Sequence, residues 1–206
     1  MYIFSLLSLP LSFLAVMAWT SRDSASAMHA FARGLLFGLP AVLLWIVLKP
    51  LSEPAWGSPL LVLSFLLRYW LLPFGLSTAS YALAVGFAPL ARGLEYERLF
   101  SYMAGSLSVF SVANGLASWG EPSRVYMLAL PCMVAASALA YPVLLEEAAK
   151  DGMPDAIKPI ALAVGGFAVA SLGAALFFMR AQWLGFIVTL LYTAGAAFIG
   201  FRRLVR

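Results

Sequence analysis

Long apolar runs separated by short polar links set the pattern of this chain. Tyr2 to Trp19 is apolar and carries Pro10, Thr20 to Arg33 is a polar link, and Gly34 to Leu48 is apolar again, interrupted by Gly38 and Pro40. Lys49 to Ser58 reads as an interfacial loop whose Trp56 suits the headgroup belt. Pro59 to Leu90 is the longest run, with Arg68 as its single charge, and Ala91 to Arg98 is a charged loop. Leu99 to Trp119, Val125 to Leu145, Ile157 to Met179 and Trp183 to Phe201 are four more apolar segments. The fifth and sixth are joined by the polar EEAAKDGMPDAIK, Glu146 to Lys158.

A helix needs about 20 apolar residues to cross a ~30 Å hydrocarbon core. Pro59 to Leu90 exceeds that, so it tilts, breaks or crosses twice. Pro73 and Gly75 mark the expected break, because proline removes a backbone donor and glycine admits unusual dihedrals. In lipid a freed backbone survives only where protein or a water-filled cavity satisfies it. The pattern thus predicts an all-α fold, a polytopic membrane helix bundle of seven or eight transmembrane segments with one broken near Pro73-Gly75. Residues 1–206 form one integral membrane domain on this reading.

Charge orients the bundle. With one crossing by the long run, Arg22, Arg33, Arg92, Arg98, Lys150, Lys158, Arg202, Arg203 and Arg206 share a side, opposite Lys49, Arg124 and Arg180. The richer side is expected to be cytoplasmic. With two crossings, only the groups before residue 59 change sides, and the C-terminus stays cytoplasmic. Ala25-Ser26-Ala27 has the small residues of a cleavage site, but no Lys or Arg precedes Arg22, so the first segment is expected to be a retained helix.

Composition agrees: 63% of residues are hydrophobic and 11% charged, against roughly half and a quarter in soluble domains. The net charge of +4 sits at helix ends, where topology explains it, so no nucleic acid is expected. Cys132, the one cysteine, is expected as a buried structural thiol. His29, the one histidine, makes no metal site, since a catalytic zinc takes three protein ligands.

Several residues carry candidate chemistry. Arg68 at membrane depth would cost about 2.5–3.5 kcal/mol. It is read either as an anion site inside the bundle or as a residue that snorkels or pairs with an acid such as Glu53. In the fourth segment Ser101, Gly105, Ser108, Ser111, Gly115 and Ser118 recur at three- and four-residue spacing, with Asn114 beside them. That face is either a packing seam or the wall of a polar cavity. Arg68, Asn114, Ser108 and Ser111 are the candidate polar intramembrane site. Glu146 and Lys150 fit the i, i+4 pair of an exposed helix face. Gly166, Ala170 and Ala174, with Ala196 and Gly200, predict close approach of the last two helices or a homodimer face.

Taken together, SRDSASAMHAFARGLLFGLPAVLLWIVL, YMAGSLSVFSVANGL, RVYMLALPCMVAASAL and the small-residue sixth segment resemble the PrsW family. Its members are intramembrane proteases assigned as metal-dependent that cleave anti-sigma factors at bacterial membranes. The resemblance implies a bundle in the bacterial cytoplasmic membrane. The family's motifs run EExxK, FxxxE, a histidine, then HxxxD. Here Phe110 to Asn114 stands at FxxxE with an amide for the acid, and no acid lies near Pro73-Phe74-Gly75. Ala170 to Ala174 replaces HxxxD, and the literal EEAAK at Glu146 comes out of order. The resemblance therefore implies a pseudoenzyme with no catalytic residues, metal or cofactor, binding or regulating a membrane partner among membrane lipids, a transmembrane protein being the candidate. A small permease or channel subunit using the broken helix and Arg68 is the alternative. An active protease centred on Glu146 and Glu147 is the third reading.

Overall fold

The computed structural model describes residues 2–20, 24–48, 60–86, 96–117, 124–150, 153–179 and 181–204, all helical but for short turns. The helices are α1 (Tyr2–Thr20), α2 (Ser24–Leu48), α3 (Leu60–Ala84), α4 (Tyr96–Ala117), α5 (Arg124–Lys150), α6 (Met153–Phe178) and α7 (Gln182–Leu204). Five of them, α2, α3, α5, α6 and α7, are long and apolar enough to cross a membrane, and α1 carries a shorter apolar stretch, Leu7–Met17. Their outward side chains are apolar: Leu36, Leu43 and Val47 on α2, and Trp183, Leu191 and Phe198 on α7, are all exposed. Surfaces like these belong in hydrocarbon, so the chain is an all-helical integral membrane protein.

Serine-rich α4 is the axis of the bundle. Every residue from Ser101 to Ser108 is buried, and α1, α2, α3 and α5 all pack on it. Small residues permit this. A Cβ built on Gly105 would overlap the Phe31 carbonyl oxygen, and one on Gly34 would overlap that of Tyr102. Backbone therefore meets backbone where α2 crosses α4, the arrangement small residues allow in membranes. The aromatic core lies on the other flank of α3, where Phe167 stacks on Trp70 at 5.7 Å and on Tyr141 at 5.6 Å.

Some sequence expectations need correction. Most of the supposed polar link, from Ser24 to Arg33, is the first part of α2. Ala25, Ala27, Ala30 and Ala32 are strong helix formers, and they outweigh the polar residues between them. Gly38 and Pro40 do not interrupt that helix.

Within the long run, Leu60–Ala84 is one continuous helix and is not broken at Pro73-Gly75. Its irregularity is a π-helical turn at Leu66–Leu71, ahead of the proline, closed by the Leu72 N–H donating to the Leu67 carbonyl. A proline ring clashes with the carbonyl four residues earlier, so Pro73 presses on the turn containing Tyr69, and widening that turn relieves the clash. Gly75 faces open space. The helix stops where Gly86 takes φ 86°, a left-handed value glycine adopts without steric cost. Among the described residues, the two half-helices of the double-crossing arrangement thus have no counterpart.

The last two helices approach as expected, and a Cβ on Gly166 would lie 3.6 Å from the Tyr192 ring, but the tightest backbone contact falls at other residues. Gly185 and Gly173 make the α6–α7 approach, a Cβ on Gly185 falling 3.1 Å from the Gly173 carbonyl oxygen. Ala196 instead packs with Ala136 and Ala140 of α5, and Gly200 lies against Leu139. Cys132 is exposed rather than buried, because it lies on the outward face of α5 while its neighbour Met133 points into the core.

Candidate functional site

Beside the Gly34–Gly105 crossing lies a cavity of about 470 Å³, within the usual range for small-ligand sites. Each of three helices lines it with residues one turn apart: His29 and Arg33 from α2, Tyr81 and Val85 from α3, Arg98 and Tyr102 from α4. Positions i and i+4 share a helix face, so each pair points the same way. The crossing then aims them at one another. Arg33 and Arg98 sit at the same end of the bundle, as a single crossing by α3 requires.

Hydrogen bonds hold the walls in place. Arg98 Nε donates to Ser26 Oγ at 3.1 Å. Below, Tyr102 Oη donates to Ser80 Oγ at 2.9 Å, Ser80 Oγ donates to the Ser77 carbonyl at 2.8 Å, and the Ser77 and Ser106 hydroxyls share a bond of 2.8 Å. The rings of Tyr81 and Tyr102 meet edge to face at 5.1 Å. Arg33 is exposed, and none of the hydrogen bonds or ion pairs among the described residues involves it or His29. The lining thus combines two arginines with the hydroxyls of Ser26, Tyr81 and Tyr102.

The residues expected to form the polar intramembrane site lie elsewhere. Arg68 is 7% exposed, so it does not snorkel. It sits in the π turn, where its carbonyl accepts from Trp45 Nε1 at 3.1 Å and its guanidinium carbon lies 5.3 Å from the Tyr69 ring centroid. Glu53, its suggested partner, lies outside the described residues. Arg68 Nε and Asn114 Oδ1 are a buried donor and a buried acceptor, each without a hydrogen bond, so those two atoms do not meet. Ser108 donates to the Ala104 carbonyl of its own helix at 2.6 Å, and Ser101 does the same to Glu97. These serines behave as packing residues. Ser111 is half-buried, Gly115 is described by its backbone alone, and Ser118 lies outside the described residues.

Glu146 is a further correction. It pairs with Lys150 at 2.6 Å as the i, i+4 spacing implies, but it is 1% exposed, and Arg203 of α7 reaches the same Oε1 at 2.9 Å. Glu147 is the exposed member of the pair. Among the described residues, no three of His, Cys, Asp and Glu come together as metal ligands would.

Sequence reasoning weighed His29, Arg33 and Arg98 one at a time and set them down to loops and topology. The signal that groups them is the recurrence of i, i+4 pairs at facing helix ends, His29/Arg33 and Arg98/Tyr102. Together the fold and the cavity define an integral membrane helix bundle with a basic cleft at one end. No protein-family model, curated protein or solved structure matches the chain.

Proposed function

We propose that the chain is a PrsW-like integral membrane protein that binds a membrane partner instead of cleaving one, receiving an anionic group of that partner in the cavity between α2, α3 and α4. The exposed Arg33 guanidinium carries this reading: it lines the cavity and makes no hydrogen bond or ion pair among the described residues. A hydrolytic metal centre needs protein ligands with lone pairs around a dication. A guanidinium offers only N–H donors and repels the metal. The same groups suit a carboxylate or phosphate, which an arginine binds through two parallel bonds. Glu146, the acid best placed by its letters to serve a protease, is already engaged with Lys150 and Arg203.

Purified protein, incubated with a single-span model substrate, is expected to leave it intact and to hold only traces of zinc. Stoichiometric zinc, or cleavage that a chelator abolishes, overturns the proposal. The permease alternative drew on half-helix ends near the midplane, and the continuity of α3 removes that support.

A further inference from the structure

We infer that Arg68 is the seat of a small monovalent anion bound within the membrane, in the opposite half of the bundle from the cavity between α2, α3 and α4. The inference stands apart from the binding reading above. Arg68 lies about 12 Å along α3 from Leu60 and about 20 Å from Tyr81 on the cavity wall. It is 7% exposed. Its Nε is a buried donor without an acceptor, and none of the hydrogen bonds or ion pairs among the described residues involves its guanidinium. A guanidinium keeps its charge in proteins, and a buried charge is tolerated only where an opposite one meets it.

The described acids are not that opposite charge. Glu97 opens α4, whereas Arg68 is tied to the far part of α4 through Trp45, whose indole donates to the Arg68 carbonyl at 3.1 Å and meets the Phe110 ring edge to face at 6.1 Å. Phe110 is about 20 Å along α4 from Glu97. Glu146 and Glu147 follow Leu139, whose carbonyl accepts from Tyr96 at 3.0 Å at the Glu97 end, and Glu146 is already taken by Lys150 and Arg203. Two features hold Arg68 ready for a ligand instead. The Trp45 bond pins its backbone in the π-helical turn Leu66–Leu71, a form frequent at functional sites, and the Tyr69 ring centroid lies 5.3 Å from the guanidinium carbon. One guanidinium brings one charge, so the matching ligand is monovalent, and the fork of Nε and its neighbouring Nη suits a carboxylate or a halide. Burial limits that ligand to about the size of formate or chloride.

Melts of the full chain in a neutral detergent, at constant ionic strength with gluconate replaced stepwise by chloride, formate or phosphate, test the assignment. Chloride and formate are expected to raise the melt along a saturating curve by about 5 °C or more, and phosphate is not. Chlorine NMR should show a broadening of the chloride line that formate competes away. Arg68→Gln should abolish both responses, and Arg68→Lys, which keeps the charge and loses the fork, should weaken them about tenfold. Arg33→Gln should leave them unchanged. Binding of either ion, lost in Arg68→Gln, sustains the inference. Should Arg68→Gln fail to fold, the unsubstituted chain and Arg68→Lys decide it. An unsubstituted chain whose melt and chloride line ignore every anion overturns the inference. A response that the Arg68 variants retain in full puts the anion elsewhere, and one lost in Arg33→Gln moves it to the cavity; either overturns it. A response to phosphate as strong as to chloride overturns the monovalent assignment. Saturable binding seen only after Glu53→Gln or Glu121→Gln would make an acid of this chain the counter-charge, with the same consequence. None of these outcomes bears on zinc content or cleavage, so the proposed function is tested separately.

Discussion

Gly105→Ala is expected to cost the protein its native packing, although it adds a single methyl group. Overfilling a packed interior typically costs about 1–3 kcal/mol, and more where the neighbours cannot yield. At Gly105 they cannot: the new Cβ would overlap the Phe31 carbonyl oxygen and stand 3.0 Å from the Leu35 backbone nitrogen. Backbone atoms of a helix do not rotate aside as a side chain does, so α2 and α4 would have to separate. Gly34→Ala should do comparable damage, since its Cβ would overlap the Tyr102 carbonyl oxygen and lie 3.0 Å from Ser106 N. Gly75→Ala is the control. Its Cβ would meet nothing within 4 Å, so it should be neutral or stabilising by up to about 1 kcal/mol through helix propensity. Circular dichroism melts in detergent would measure all three. A Gly105→Ala melt matching that of the unsubstituted chain would mean that the crossing is looser than described.

The same crossing explains which parts of the fold were legible. Lipid forces every spanning helix to be apolar on its outer face, and so the helical class and the spanning segments stand out in the letters. Pro73 was also visible, but its effect falls on the turn preceding it. The expected break near Pro73-Gly75 is in fact a widened turn at Leu66–Leu71. The Ser24 to Arg33 segment was misjudged because polarity was weighed ahead of propensity, though its alternating alanines are plain to see.

The cavity was the hardest feature to foresee. Its hydrogen bond between Arg98 and Ser26 joins residues separated by 72 positions. The i, i+4 pairs could be read from sequence. What could not is that Gly34 and Gly105, among the sixteen glycines of the chain, let the backbones of α2 and α4 touch. Without that contact, Arg33 and Arg98 are two charges near two helix ends. With it they line one space, while Arg68 stays inside the bundle.

Glu146→Ala should destabilise the protein by about 2 kcal/mol, whereas Glu147→Ala should change it by less than about 0.5 kcal/mol. The adjacent glutamates look alike in sequence and differ in surroundings. Glu146 is buried and accepts from Lys150 and from Arg203, which ties α5 to the last turns of α7. Glu147 is exposed. Removing one partner of a fully buried pair costs about 3–5 kcal/mol because the other charge is stranded. Here the stranded groups are 38% and 36% exposed, so they regain water and the loss is smaller. Lys150→Met should cost less than Glu146→Ala, since Arg203 still neutralises the carboxylate. A double-mutant cycle between Glu146 and Arg203 should show a coupling of about 1 kcal/mol or more, and additivity there would mean that the bridge between the helices contributes nothing. The same cycle separates two roles for the acid. If Glu146 served chemistry, its loss would change an activity while leaving the melt in place, whereas the clamp described here predicts a lower melt.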